Sequence, residues 1–473
     1  MERKTALDAN SLQATLDLQR ACYLQDPVPD LAERKKDLLT LRRFLSENKD
    51  ALCDVINADY GHRSRDETML AEIIPALSGI DHILRHLGQW MKVQKRSVDA
   101  SSFLGARNRV IPQPLGVIGV IVPWNFPVNL SFVPLSYIFA AGNRAMVKMS
   151  ENSRHLAAFL MARIPAYFPP EKLQFFDETG GVGIMFSRLA LDHLLFTGSS
   201  QTGRAVMAAA ATNLCPVTLE LGGKSPAIVY MDFPLQTAVE RIMFVKCLNA
   251  GQICTTVDYV WVPESELDRF VAMAKTVVAA RYSDLNSQDY TSIIDQHSYD
   301  RLIHALDDAV AHGAQLVPLL DTPLFDPVLR KIAPHIVLNA SDDCVLMQAE
   351  IFGPILPVQV YTSLDVVTSK INAGPRPLAL YPFSNDAHQI QSLIDKVMSG
   401  GVSVNDALFH VAQHDLPFGG VGASGMGQYH GKEGFETFSK MRPVFYQSRF
   451  NMLKFLMPPY GVLAKKILSY MSR

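Results

Sequence analysis

The chain has 473 residues, of which 48% are hydrophobic and 19% charged, with 44 Lys+Arg set against 46 Asp+Glu. That length is too great for one hydrophobic core and predicts roughly three domains. The balance of charge removes the electrostatic case for nucleic acid or another strongly charged partner, and the hydrophobic content excludes a disordered chain.

Residues 1–95 read as helical. Leu31, Leu38, Leu41 and Leu45 recur at near-helical spacing, as do Ile73, Leu77, Ile80 and Leu84, and both stripes read as core-facing surfaces. From residue 115 the texture changes. Residues 115–122 form a short apolar run rich in β-branched side chains, the mark of a strand buried on both faces. Similar runs follow at 144–148, 173–176, 193–197 and 227–230, with helix-like segments at 154–164 and 203–211 between them. Strands alternating with helices predict a parallel sheet in an α/β domain. A second alternating region spans 240–390. A glycine-rich stretch at 419–427 then leads to a tail, 445–473, where a turn at Pro458-Pro459 precedes a predicted helix. On that helix Leu463, Ile467, Tyr470 and Met471 share one face. Packing over the protein's own surface is the expectation, with contact at a membrane surface as the alternative.

The six cysteines show no CxxC pair and no zinc-ligand spacing with histidine, so no metal is expected and a reducing compartment is. The N-terminus lacks the apolar run of a secretory signal, and no stretch reaches the ~18 apolar residues of a membrane span. A cytoplasmic location is the resulting expectation.

Three short segments carry the chemistry. Cys254, in Asn249-Ala-Gly-Gln-Ile-Cys254-Thr, has polar neighbours and a glycine that permits tight packing, whereas a lone cysteine is ordinarily a small buried hydrophobe. Glu220, in Leu219-Glu220-Leu221-Gly222-Gly223, ends a strand-like run and projects from the top of a sheet, where clefts form. Its bland reading is a solvated carboxylate. Asn125, in Pro123-Trp124-Asn125-Phe-Pro127, lies between prolines that stiffen its loop, and a rigid amide suits an oxyanion donor, although turn asparagines are common.

The three segments together resemble the aldehyde dehydrogenase family, in its order and at its spacing, and the likeness runs from about residue 15 to about residue 445. Gly61-His-Arg-Ser-Arg65, Arg376-Pro-Leu-Ala-Leu380 and Leu416-Pro-Phe-Gly-Gly are similar to the class-3-like branch, and within it to the bacterial coniferyl aldehyde dehydrogenases. The resemblance implies an aldehyde dehydrogenase fold of the α/β class. Residues 1–97 and 113–222 would form a Rossmann-like NAD-binding domain and 223–398 an α/β catalytic domain. A small β oligomerisation arm would come from 98–112 and 399–445, followed by a tail at 446–473. It implies Cys254 as nucleophile, Glu220 as general base, and Asn125 with the Cys254 N–H as the oxyanion hole.

It implies NAD as cofactor, with NADP the alternative. The common Gly-x-Gly-x-x-Gly fingerprint is absent, and Gly198-Ser199-Ser-Gln-Thr-Gly203 resembles the family's own strand-to-helix loop. Lys148 and Glu151 match adenosine-ribose contacts, Glu350 and Phe352 match the residues about the nicotinamide, and Pro123, Trp124, Leu221 and Gly222 complete the cofactor set. A homodimer, aldehydes of aromatic or medium-chain aliphatic type, and no metal follow from the same likeness. Phe132, Tyr137 and Phe409 are candidate substrate-tunnel aromatics that serve equally well as core.

Two features depart from the family pattern: the tail, and Asp177-Glu178 where relatives carry glycine, with Gly180-Gly181 displaced. Two rivals remain at this point, a dehydrogenase that passes the acyl group to coenzyme A and a non-catalytic scaffold on the same fold. A thiol hydrolase is a third, for which no histidine adjoins Cys254 in sequence.

Overall fold

The computed structural model describes residues 2–99, 103–179, 181–321, 323–449 and 452–472, with side chains from residue 11 onward. Gly180 lies outside the described residues. Long helices open the chain, Glu2–Gln25, Leu31–Tyr60 and Ile74–Trp90. Asp30 caps the second through the Glu33 N–H at 2.9 Å. Between the second and the last lies a π-helical turn, Met69–Ile73. Such a turn carries one extra residue and changes which side chains face inward. That change matters for the site.

The predicted strands appear with small shifts at their ends. Six strands form one sheet in the order Gly425–Met426, Val217–Leu221, His193–Gly198, Val117–Ile121, Arg144–Lys148 and Leu173–Phe176. All neighbours in it are parallel except the Gly425–Met426 edge. The strand Val117–Ile121 shows why its sequence reads as a continuous apolar run. Val117 and Ile121 pack into one hydrophobic cluster and Ile118 and Val120 into another on the opposite face. Helix Asn129–Ala140 is apolar nearly all round and is buried along almost its whole length. It therefore fixes the loop of Asn125, which immediately precedes it.

The second sheet has seven strands, ordered Gln315–Pro318, His335–Leu338, Ile355–Tyr361, Tyr259–Pro263, Pro226–Val229, Ala379–Phe383 and Gly401–Val402. It is parallel except at the Gln315–Pro318 edge. A third, antiparallel sheet joins Gln94–Arg96, Arg107–Pro114 and Ser439–Tyr446.

This third sheet is the candidate for the arm, and its strands do not coincide with the segments 98–112 and 399–445 expected for it. Its first strand begins before residue 98 and its second runs past 112. Most of 399–445 lies elsewhere, because Gly401–Val402 adds to the seven-stranded sheet and Gly425–Met426 to the six-stranded one. Only the final strand reaches the third sheet.

The tail differs from expectation as well. Helix Val462–Met471 forms, but Ala464 is its single buried residue, while Leu463 is 57% and Tyr470 80% exposed. It packs against the short turn Met452–Leu456.

Candidate active site

Cys254 follows a backbone that no ordinary turn would adopt. Asn249, Ala250 and Gly251 occupy the left-handed region in succession, with φ of 51°, 50° and 72°. Such conformations cost energy for residues with a Cβ and persist only where the surroundings hold them. Gly251 has no alternative, since a Cβ there would meet the Gly353 carbonyl oxygen at 2.3 Å. The close approach locks the cysteine loop onto the Glu350–Pro354 segment.

The polar side of the loop is held by a buried network that the sequence reading did not single out. The Asn249 side-chain amide donates to the carbonyls of Gln252 at 3.1 Å and Asn125 at 3.3 Å. The Gln252 amide donates to Asn249 O at 2.9 Å and Ser292 O at 3.1 Å, and its own oxygen accepts from Ile294 N at 3.0 Å. The Asn125 carbonyl also accepts from the Tyr60 hydroxyl at 3.0 Å and the Arg63 guanidinium at 2.9 Å. Arg63 in turn pairs with Glu72 at 2.9 Å, both side chains wholly buried. Glu72 accepts from the Val128 and Asn129 N–H groups at 2.6 and 3.2 Å. Glu67 receives the Asn249 N–H at 3.1 Å and the Thr291 hydroxyl at 2.5 Å, and burial pushes its carboxyl up to about 7.

The π-helical turn lies within this arrangement. It directs Glu72 into the network and leaves Leu70 and Ala71 on the wall of the cavity. The available signal was Arg63 and its acidic neighbours falling in a break between two apolar helices. Arg63→Ala would strand the Glu72 charge in the interior, an expected loss of ~3–5 kcal/mol. It is read as a lowered urea midpoint, and an unchanged midpoint would contradict the role.

Asn125 is buried, and its side-chain Nδ2 donates one hydrogen to Gln252 O at 3.3 Å. The amide has a second hydrogen. The backbone N–H groups of Cys254 and Thr255 favour the thiolate form of Cys254. The thiol's value is pushed up to about 12, by burial first and then by the charges of Glu350 and Glu220. Glu220 lies in the strand Val217–Leu221 opposite Gly425, and neither buried carboxylate oxygen has a hydrogen-bond partner. Burial raises its value well above 4.5. Glu220 thus lies within electrostatic range of Cys254, and the Asn125 side chain is tied through the Gln252 carbonyl to the loop that precedes Cys254.

Cys254 opens on a cavity enclosing about 1030 Å³ of space not filled by atoms, mouth included. The walls are apolar, with the aromatic side chains of Phe126, Tyr137, Phe244, Phe409, Phe418 and Tyr429 set among aliphatic ones such as Leu130, Val133 and Leu248. Phe244 and Phe409 stack at 6.4 Å. Of the three candidate tunnel residues, Tyr137 and Phe409 line this cavity. Phe132 does not, because it is wholly buried between Phe44 and Phe175. Tyr429 was not foreseen from sequence. It is fully buried and lies within the electrostatic reach of both Glu220 and Cys254.

On the other side of Cys254 the residues form a cradle for a dinucleotide. Helix Ser200–Ala211 begins at Ser199, which caps it through the Thr202 N–H at 3.2 Å. Its first N–H groups point outward, a favourable place for phosphate. Gly203 lets that helix approach the strand end, since a Cβ there would meet Leu221 Cδ2 at 2.7 Å, and Gly198 is likewise crowded by the Phe196 ring at 2.6 Å. Gly222 admits Glu350, whose Oε2 would lie 1.9 Å from a Cβ at that position. Glu350 Oε1 is buried without a partner, and burial pushes the carboxyl up to about 8. Trp124 meets the edge of Phe352 at 5.4 Å, and Phe352 itself has φ +52°. Pro123 and Trp124 are part-buried at the end of Val117–Ile121, and Lys148 and Glu151 stand at the end of the neighbouring strand. These residues fit the proposed cofactor. Among the described residues no group of His, Cys, Asp or Glu could hold a metal ion, and the six cysteines are free.

A largely parallel sheet with a phosphate-ready helix, beside a second such sheet, a part-buried thiol and a buried carboxylate, is the architecture of an α/β dehydrogenase. The chain belongs to the aldehyde dehydrogenase family, whose model matches residues 28–444. It is 47% identical over 461 residues to the "Probable coniferyl aldehyde dehydrogenase" of Pseudomonas aeruginosa, covering 97% of this chain and 96% of that one. It is 36% identical over 450 residues to the "Aldehyde dehydrogenase, dimeric NADP-preferring" of Rattus norvegicus, covering 93% and 96%. Among solved structures, an AldH from Staphylococcus aureus in a substrate-bound state superposes with a TM-score of 0.91 at 32% identity, covering 97% of this chain and 99% of that one.

Proposed function

We propose that the chain oxidises aromatic aldehydes of the phenylpropanoid class, coniferaldehyde among them, to carboxylic acids with NAD(P) as cofactor. The observation that carries the reading is Cys254 on the wall of an apolar cavity that includes six Phe and Tyr side chains, within electrostatic reach of Glu220 and Glu350. The Pseudomonas relative's name supports the substrate class.

Cys254 Sγ adds to the aldehyde carbon. The oxygen that becomes anionic is held by the second hydrogen of the Asn125 amide and by the Cys254 N–H. The raised thiol value requires a proton acceptor, and Glu220, with a free and unpartnered carboxylate, is the group placed to act. When bound, the nicotinamide supplies a hydride acceptor for the tetrahedral carbon. The product of that step is a thioester on Cys254; Glu220, after releasing the thiol proton to solvent, takes a proton from water, whose oxygen adds to the acyl carbon and expels the Cys254 thiolate with the acid. Burial suits Glu220 to this work, because a carboxylate raised toward neutrality is a stronger base than a solvated one.

Glu220 is the observation that favours water over coenzyme A as acyl acceptor. Aldehyde-dependent NADH formation with free acid as product, in the absence of coenzyme A, is the expected result. Acid formation that requires coenzyme A would overturn it. Removing one oxyanion donor typically costs ~10²–10³ in rate, so Asn125→Ala is expected to lose that much kcat/KM while binding NAD+ as the wild type does. Undiminished turnover would remove Asn125 from the mechanism.

The same reading includes a homodimer built through the three-stranded sheet, whose strand Ser439–Tyr446 lies at an edge with Phe445 and Tyr446 exposed. The name of the rat relative supports it. No helix among the described residues is long and apolar enough to cross a membrane, and a cytoplasmic location is part of the proposal.

A further inference from the structure

The adenosine side of the cradle carries a residue that the family pattern does not supply. Strands Arg144–Lys148 and Leu173–Phe176 lie side by side in parallel, with Lys148 opposite Phe176 and the Met149 N–H donating to Phe176 O at 2.8 Å. Their carboxyl ends therefore open at the same edge of the sheet, where nucleotides bind in folds of this type. Two residues beyond Phe176, where the family resemblance implies glycine, this chain has Glu178.

The Glu178 carboxylate forms an ion pair with Lys148 Nζ, and both side chains are largely buried. It also accepts from the Gly183 N–H at 2.9 Å. Gly183 leaves no other room, because a Cβ there would meet Glu178 Oε2 at 2.7 Å and Lys148 Nζ at 3.3 Å. Glu151, exposed three residues past Lys148, is held by the Ser150 hydroxyl at 3.3 Å. Lys148 is thus engaged by a carboxylate and a second carboxylate stands on the same loop, where the exposed Arg154 guanidinium donates to the Glu151 backbone carbonyl at 3.1 Å.

We propose that Glu178 is a specificity-determining residue that excludes the 2′-phosphate of NADP. The inference rests on reading this edge as the adenosine-ribose side of the cofactor site. A ribose with a free 2′-hydroxyl can donate to a carboxylate. A 2′-phosphate brings about two negative charges next to Glu151 and Glu178, and finds Lys148 already neutralised. The chain is accordingly selective for NAD.

The test is equilibrium binding of NAD+ and NADP+, measured by titration calorimetry without aldehyde, to the full chain and to Glu178→Gln and Glu178→Gly. Glutamine keeps an oxygen for the Gly183 N–H, so that variant preserves the local fold, and NAD+ binding at wild-type strength confirms it. Freeing Lys148 for a charge-assisted contact is expected to narrow the NAD+/NADP+ affinity ratio by about tenfold or more, through tighter NADP+ binding. The double variant Glu178→Gln with Lys148→Met is expected to lose that gain. An unchanged ratio in both single variants, or a wild type that binds the two nucleotides equally, overturns the role of Glu178. A wild type that binds neither nucleotide overturns the cofactor reading itself.

Discussion

Cys254→Ser is expected to reduce aldehyde-dependent NADH formation by ~10⁴-fold or more while NAD+ still binds, because a nucleophile cannot be replaced by its weaker neighbours in the reaction. Hydride leaves readily from an anionic tetrahedral carbon and poorly from a free aldehyde, so the step depends on the sulfur adding first. Burial and the charges of Glu350 and Glu220 already push the thiol up to about 12. A serine hydroxyl, intrinsically far less acidic, is harder still to ionise in the same place. The substitution keeps the left-handed loop at Asn249–Gly251 and its hydrogen bonds, none of which uses the sulfur. Loss of turnover with retained NAD+ affinity therefore reports on chemistry, and turnover within tenfold of wild type would end the nucleophile assignment.

Glu220→Gln is the second substitution with a large expected effect, and it separates the two halves of the reaction. Without its base the thioester forms more slowly and is released much more slowly. The expected trace is a burst slower than the first wild-type turnover but faster than release, approaching one NADH per chain, followed by a steady rate lower by ~10²–10⁴-fold. The wild-type steady rate should climb as pH rises through the raised value of Glu220, since the deprotonated fraction is the active one, and the variant should lose that climb.

Stability provides an independent check. Glu220 has a folded-state value above its unfolded one. The wild-type chain therefore loses stability as pH rises from about 4.5 toward the raised value. Glutamine carries no such loss, so the variant is expected to be at least as stable as wild type at neutral pH. A variant with neither burst nor slowed steady rate would show that Glu220 is not the base.

Much of this site is legible in the sequence because its parts are local. Pro123-Trp124-Asn125-Phe-Pro127 and the segment before Cys254 are continuous peptides whose backbone geometry their own residues enforce, Gly251 above all. The strands were legible for a similar reason, since runs such as 144–148 are buried on both faces and read as unbroken apolar segments. What the sequence hides is pairing at a distance. Arg63 meets the Asn125 carbonyl across 62 residues of chain and pairs with the nearby Glu72 only through the turn between them, and a charged residue beside a helix reads by default as a solvated one. The π-helical turn that aims Glu72 inward has no reliable sequence mark. Phe132 and Phe409 are alike in composition, and only packing against Phe44 and Phe175 sends the first to the core. The third sheet departs from the segments expected for the arm for a topological reason, because strands from 399–438 return to the two larger sheets. Glu178 was visible as a departure from pattern, but its partner Lys148 was not.

The central claim is that oxidation proceeds through an acyl group on Cys254, and peptide mass analysis of Glu220→Gln mixed with coniferaldehyde and NAD+ tests it most directly. The account predicts one acyl group per chain, on the peptide that contains Cys254, formed only when NAD+ is present and removed by hydroxylamine. A full burst of NADH with no adduct on that peptide, or with the adduct on Cys215 or Cys247 instead, would contradict it.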